Sequence, residues 1–166
     1  MDWAEFILAL AAFLGAHVIP VRWRGPLVAR LGRRGYLLGY GLLSLGLLYW
    51  LIVAAGRAPW VELWPQAGWM RWLVNLAMPL AIVLALTGGM GGLMAGFALW
   101  AGAHLLANGD LAHVLLFGLL LAYALFGLGR ARFRWRLGPG LVLAAPLVWA
   151  ALVHLHPLVI GVSPLP

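Results

Sequence analysis

Five histidines, His17, His104, His113, His154 and His156, carry the metal-ligating capacity of this chain. All five fall within or beside long apolar runs, with Asn75 as a polar companion. A polar group in hydrocarbon costs on the order of several kcal/mol unless it is satisfied, so each needs a partner. A neutral imidazole presents one acceptor nitrogen, and metal ligation is a common use of it. The spacing excludes several chemistries. There is no HExxH, and His104 and His113 are separated by a turn rather than set at a metal-site interval. The only serines are Ser44 and Ser163, which leaves no Ser-His-Asp arrangement for hydrolysis. With no cysteine there is no disulfide, Cys-ligated zinc, iron–sulfur cluster or c-type haem attachment. Structural roles compete for three histidines. His113 follows Asp110 by three residues, so the two side chains can meet on one helical turn. His154 and His156 lie near the end of an apolar run, where water or headgroups can satisfy them. His17 and His104 lie deeper, and both structural and functional readings are open for them.

The elements that must position these residues are membrane helices. Of 166 residues, 65% are hydrophobic and 9% charged, and the mean hydropathy is +1.01. No soluble core of this size hides that much apolar surface. The expected fold is all-α, a polytopic membrane bundle forming a single domain over residues 1–166. Six runs approach the ~20 residues that cross a bilayer: Trp3–Val21, Tyr36–Gly56, Trp69–Leu86, Gly89–Ala107, Leu111–Leu128 and Pro139–His156. Pro20, Arg22 and Arg24 stop the first, and Pro139 suits a first helical turn. Asn108, Gly109 and Asp110 separate the fourth and fifth runs as a tight hairpin. Asn and Gly tolerate a left-handed C-terminal cap there, and Asp110 can cap the next helix. The first run begins with Asp2 and Glu5 and no basic residue, the reverse of a cleaved secretory signal.

The net charge of +7 comes from eleven arginines and no lysine. Nine arginines lie in two short segments, 22–34 and 130–136, between apolar runs. Nucleic acid is not the expected partner, because no folded module presents a basic face. Six spans place both segments on one side, and the four acids, Asp2, Glu5, Glu62 and Asp110, on the other. The positive-inside rule then predicts cytoplasmic arginines and periplasmic termini. Trp3, Trp23, Trp60, Trp64, Trp69 and Trp135 fall at span ends and suit an interfacial belt. Trp100 lies inside a span and is expected to pack in the bundle. Gly88, Gly92 and Gly96 form a small-xxx-small series that permits close helix approach.

Particular stretches resemble the NnrU family of integral membrane proteins. Leu14-Gly15-Ala16-His17, followed by an arginine-dotted segment ending Arg30-Leu31-Gly32, is similar to the family's opening. A Tyr/Gly/Leu/Ser second span, Leu63-Trp64 and a Trp-rich third span follow in order. The most specific stretch is Leu99-Trp100-Ala101-Gly102-Ala103-His104-Leu105-Leu106-Ala107-Asn108-Gly109-Asp110, which resembles the family's signature helix and hairpin. His156-Pro157 and Gly161-Val162-Ser163-Pro164-Leu165-Pro166 resemble its ending.

The resemblance implies a bacterial inner-membrane protein linked to nitrite and nitric oxide metabolism, that is, to denitrification. The family is related to the haem-dependent 15-cis-zeta-carotene isomerase, whose histidines at the positions of His17 and His104 are implicated in ligating haem b. Carried over, His17 and His104 are the axial ligands of a haem iron. The substrate would be lipophilic, or the partner a redox protein, and the step a cis-trans isomerisation or a redox reaction. Two departures qualify the transfer. The isomerase has a Cys three residues before its second His, and the position here is Ala101, so no thiolate switch exists. The family's basic segment between spans three and four is replaced by Thr87-Gly88-Gly89-Met90-Gly91-Gly92, so the role of those charges is lost or moved. Counted at ~1.5 Å per residue, His17 lies about 20 Å from the outer surface and His104 about 5–10 Å from it. A rival ligand set at similar depth is therefore His104, His113, His154 and His156. The alternative reading is a non-catalytic membrane assembly or transport factor whose histidines only bridge helices.

Overall fold

The computed structural model describes residues 3–18, 20–136 and 138–165, with backbone alone at 18 and 20–22. The described residues form six helices: α1 (Trp3–Val18), α2 (Pro20–Arg57), α3 (Gly68–Thr87), α4 (Gly89–Ala107), α5 (Leu111–Leu128) and α6 (Pro139–Val159). No strand is present among the described residues; Glu62 and Asp110 form an isolated antiparallel bridge. Among the described residues five helices are long and apolar enough to cross a bilayer. Contacts gather into two units, Met1–Trp60 and Val61–Pro166. The expected acid Asp2 and the terminal Pro166 lie outside the described residues, as do the side chains of Pro20 and Arg22.

Four of the expected spans, those of α3 to α6, coincide with helices to within three residues at either end. The first does not, and the second lies inside a longer helical assignment. α1 has 16 residues, about 24 Å of helix against a ~30 Å hydrocarbon core. It is shorter than the expected Trp3–Val21 and is not among the five candidate spans. α2 begins at Pro20 rather than near Tyr36, taking in the arginine-rich stretch expected as a loop. Arg, Leu and Ala are good helix formers, so a charge cluster that stops a membrane span does not stop a helix. The 38-residue assignment nonetheless holds one non-helical residue, Gly32, at φ 70, ψ 162. That region is essentially restricted to glycine. Gly32 therefore separates an arginine-bearing helical segment from the apolar helix that follows.

In the first unit α1 packs against α2. Phe6, Ala9, Leu10 and Phe13 make a buried stripe at helical spacing, and Leu51, Ala54 and Ala55 are the buried residues of α2. Glu5 and Arg57 meet at 3.6 Å at the exposed end.

In the second unit α3, α4 and α5 pack in sequence, and α6 packs on α3. The glycine series works as expected. A Cβ on Gly92 would stand 2.2 Å from the Leu84 carbonyl oxygen, and one on Gly96 2.3 Å from that of Ala81. Hydrophobic matching cannot drive helices together in lipid, so backbone approach of this kind is what adheres α3 to α4. Elsewhere long apolar side chains point outward. Leu76, Leu147 and Leu158 are 74%, 72% and 81% exposed, as a lipid-facing surface requires.

Candidate functional site

The α4–α5 hairpin is closed by polar contacts that follow from its sequence. Asp110 adopts an extended backbone, and Oδ1 accepts from the His113 N–H at 3.2 Å as an N-cap. Its other oxygen, Oδ2, accepts from His113 Nδ1 at 2.7 Å, so the expected pairing is present. Asp110 is 2% exposed, and its two bonds account for how a carboxylate is retained there. The left-handed cap that Asn108 and Gly109 would tolerate is not formed. Asn108 is extended at φ −118, ψ 102, and the positive-φ glycines are Gly32, Gly89 and Gly161. Gly109 is instead required by close approach, since a Cβ there would lie 1.9 Å from the Trp64 carbonyl oxygen. The segment before α3 crosses the hairpin at this point. Leu63 N–H donates to Gly109 O at 2.7 Å, and Leu111 N–H donates to Val61 O at 2.9 Å. Trp64 Nε1 donates to Leu106 O at 3.1 Å. Trp64 is thus a hairpin clamp as well as an interfacial ring, whereas Trp23, Trp60, Trp69 and Trp135 are exposed as a belt requires.

His104 stands one turn before the end of α4, where Nδ1 donates to the Trp100 carbonyl oxygen at 2.9 Å. A carbonyl oxygen only accepts, so this bond fixes the neutral tautomer in which Nε2 carries the lone pair. Aromatic rings surround the imidazole. Trp100 lies at 5.2 Å and Phe117 of α5 at 5.1 Å between centroids. Phe97 stacks on Trp100 at 5.2 Å, and Trp100 meets Phe117 edge-on, which is the bundle packing expected of Trp100. His113 joins the same cluster through Phe117 at 6.2 Å. Ala101 is fully buried one turn before His104.

His17, in the first unit, repeats the arrangement. Its Nδ1 donates to the Phe13 carbonyl oxygen at 2.7 Å, which again leaves the lone pair on Nε2 in the neutral ring. Phe13 lies at 4.4 Å and Tyr40 of α2 at 5.8 Å. Tyr40 is stacked on Tyr36 and donates through its hydroxyl to Ala16 O at 3.3 Å. Of the other candidates, His156 donates from Nδ1 to Val162 O at 2.7 Å, while His154 is exposed on α6. Among the described residues no group of three or more His, Asp or Glu side chains could hold a metal ion.

Two features were not anticipated. Asn75, buried in α3, donates through Nδ2 to Arg71 O at 3.0 Å and to Pro164 O at 2.8 Å. It thereby fastens the C-terminal segment, a role for which only its polarity within an apolar run gave a signal. The second is the segment after α5. Arg134 N–H donates to Gly88 O at 3.0 Å, Arg136 N–H to Thr87 O at 2.8 Å, and Gly91 N–H to Arg132 O at 3.2 Å. The glycine turn between α3 and α4 has no basic residue of its own, and the arginines of another connection lie across it.

No curated protein and no solved structure matches the chain. The family model described as NnrU protein matches residues 5–164, which takes in both units and every histidine discussed. The chain belongs to the NnrU family.

Proposed function

We propose that this NnrU protein binds haem b in the membrane, with His104 and His17 as axial ligands. The observation that supports this reading is the shared setting of the two rings. Each donates Nδ1 to the carbonyl four residues earlier, at 2.9 Å for His104 and 2.7 Å for His17. A metal-ligating histidine is typically oriented in this way, because the donated hydrogen bond fixes the tautomer and raises the basicity of the other nitrogen. The donor chemistry fits haem. Trp100 and Phe117 supply flat apolar surface beside His104, and Phe13 and Tyr40 supply it beside His17.

When bound, such a group would supply redox chemistry at an iron whose potential is tuned by axial ligation and burial. The chain's own part is to orient the imidazoles through their Nδ1 bonds and to set aromatic rings beside them. The reading extends to nitrite and nitric oxide metabolism, or to a redox or isomerisation step on a lipophilic substrate, at the bacterial inner membrane. The orientation we propose has both arginine-bearing segments cytoplasmic. A pyridine haemochrome assay on detergent-purified protein from haem-replete cells tests the cofactor. One haem b per chain is expected. A folded, helical protein without haem under those conditions contradicts the proposal and favours the assembly-factor reading.

A further inference from the structure

The connection between α5 and α6 is held as an extended ribbon, and its two faces differ in chemistry. The N–H groups of Arg134 and Arg136 and the carbonyl of Arg132 all bond to the α3–α4 turn, a period-two pattern. Phe133 and Trp135, two residues apart, stack at 5.3 Å, which confirms the alternation from the side chains. Arg132, Arg134 and Arg136 therefore make one row, and the stacked aromatic pair makes the other. All three arginines are exposed. The ion pairs found among the described residues are Glu5–Arg57 and Asp110–His113, so no carboxylate is paired with this row. Arg130 stands apart from it. Its guanidinium donates to Phe126 O at 3.3 Å and lies 3.6 Å from the centroid of the Phe126 ring.

Glycine holds the ribbon in place. A Cβ on Gly91 would be 2.8 Å from the Phe133 nitrogen and 2.9 Å from the Arg132 carbonyl carbon. Gly89 has φ 62 and lies against Arg134. A guanidinium fork matches phosphate oxygens in two-pronged fashion, and a preorganised backbone reduces the entropy lost on binding. Phe133 and Trp135 are 43% and 54% exposed, and aromatic rings of this kind settle between headgroups and acyl chains. Cations beside an apolar aromatic pair at the end of membrane helices match a phosphate that carries acyl chains. We propose that the ribbon Arg132–Arg136 is a binding site for the headgroup of an anionic phospholipid. This site is separate from the histidine cluster and does not depend on haem.

The test uses the full-length protein in neutral detergent, titrated with phosphatidylglycerol or phosphatidylcholine, with bound lipid counted by native mass spectrometry. Wild type is expected to bind phosphatidylglycerol in preference. Arg134→Gln, which removes one exposed charge, is expected to weaken that binding roughly five-fold. Arg71→Gln, at an exposed arginine of α3, is expected to leave it unchanged. Gly91→Ala keeps every charge but displaces the ribbon, and is expected to weaken binding as well. Equal binding of the two lipids overturns the proposal, and so does wild-type affinity in Arg134→Gln. Displacement of phosphatidylglycerol by equimolar inorganic phosphate also overturns it, and assigns the row to a soluble anion.

Discussion

Gly96→Ala is the sharpest test of how α3 and α4 are held together. The added Cβ would lie 2.3 Å from the Ala81 carbonyl oxygen and 3.3 Å from the Ala85 nitrogen. Both are backbone atoms, so no side-chain rotation relieves the contact. The helices must part by about 1 Å to restore ordinary van der Waals separation. Overpacking of this kind costs about 1–3 kcal/mol. For a chain of this length each kcal/mol moves the melting temperature by about 2–4 °C, so a loss of about 2–12 °C is expected. Gly118→Ala in α5 is the matched control, because a Cβ there meets nothing within 4 Å. Replacing a helical glycine by alanine without a clash is neutral or stabilising by about 0.5–1 kcal/mol. Thermal unfolding of both variants in the same detergent should therefore move in opposite directions, or at least differ by several degrees. Equal melting temperatures would refute the close-approach account of the α3–α4 interface.

Three further outcomes follow from individual contacts. Asp110→Ala removes both the cap of α5 and the partner of His113; a loss of about 0.5–2 kcal/mol is expected from the cap, read as faster amide exchange in the first turn of α5. Asn75→Ala removes the bond to Pro164 O, and the C-terminal segment should become susceptible to carboxypeptidase at unchanged overall helicity. Glu5→Gln breaks the 3.6 Å pair with Arg57, whose side chain is 64% exposed. Exposed pairs of this kind are worth little, so the melting temperature should stay within about 1 °C of wild type.

The helices from α3 onward were legible because each apolar run is bounded by a clear break: Pro139, the Asn108–Asp110 turn, the glycine cluster at 88–92. The Asp110–His113 pair was legible too, since a three-residue interval on a helix fixes who can meet whom. The segment before Tyr36 was misread because membrane insertion and helix formation answer to different properties. Arginine disfavours the first and favours the second, so α2 continues through Arg24 and Arg30 until Gly32 interrupts it. Gly109 shows a second limit of sequence reading. Its backbone freedom was the visible attribute, yet its lack of a Cβ is what the Trp64 carbonyl requires. That demand comes from a residue 45 positions earlier, and no local pattern announces it. The same holds for the Asn75–Pro164 closure and for the arginine ribbon over Thr87–Gly91, both made by residues far apart in the chain.

The proposed function rests on His104 and His17 as ligands of haem b. It is tested most directly by reduced-minus-oxidised visible spectra of the wild type beside His104→Ala and His17→Ala, purified from haem-replete cells. The account predicts a six-coordinate haem b spectrum in the wild type, lost or converted to a five-coordinate form in each variant while helicity is retained. A wild-type spectrum unchanged by both substitutions, but abolished by His113→Ala, His154→Ala or His156→Ala, would contradict the assignment and move the ligands to the rival set.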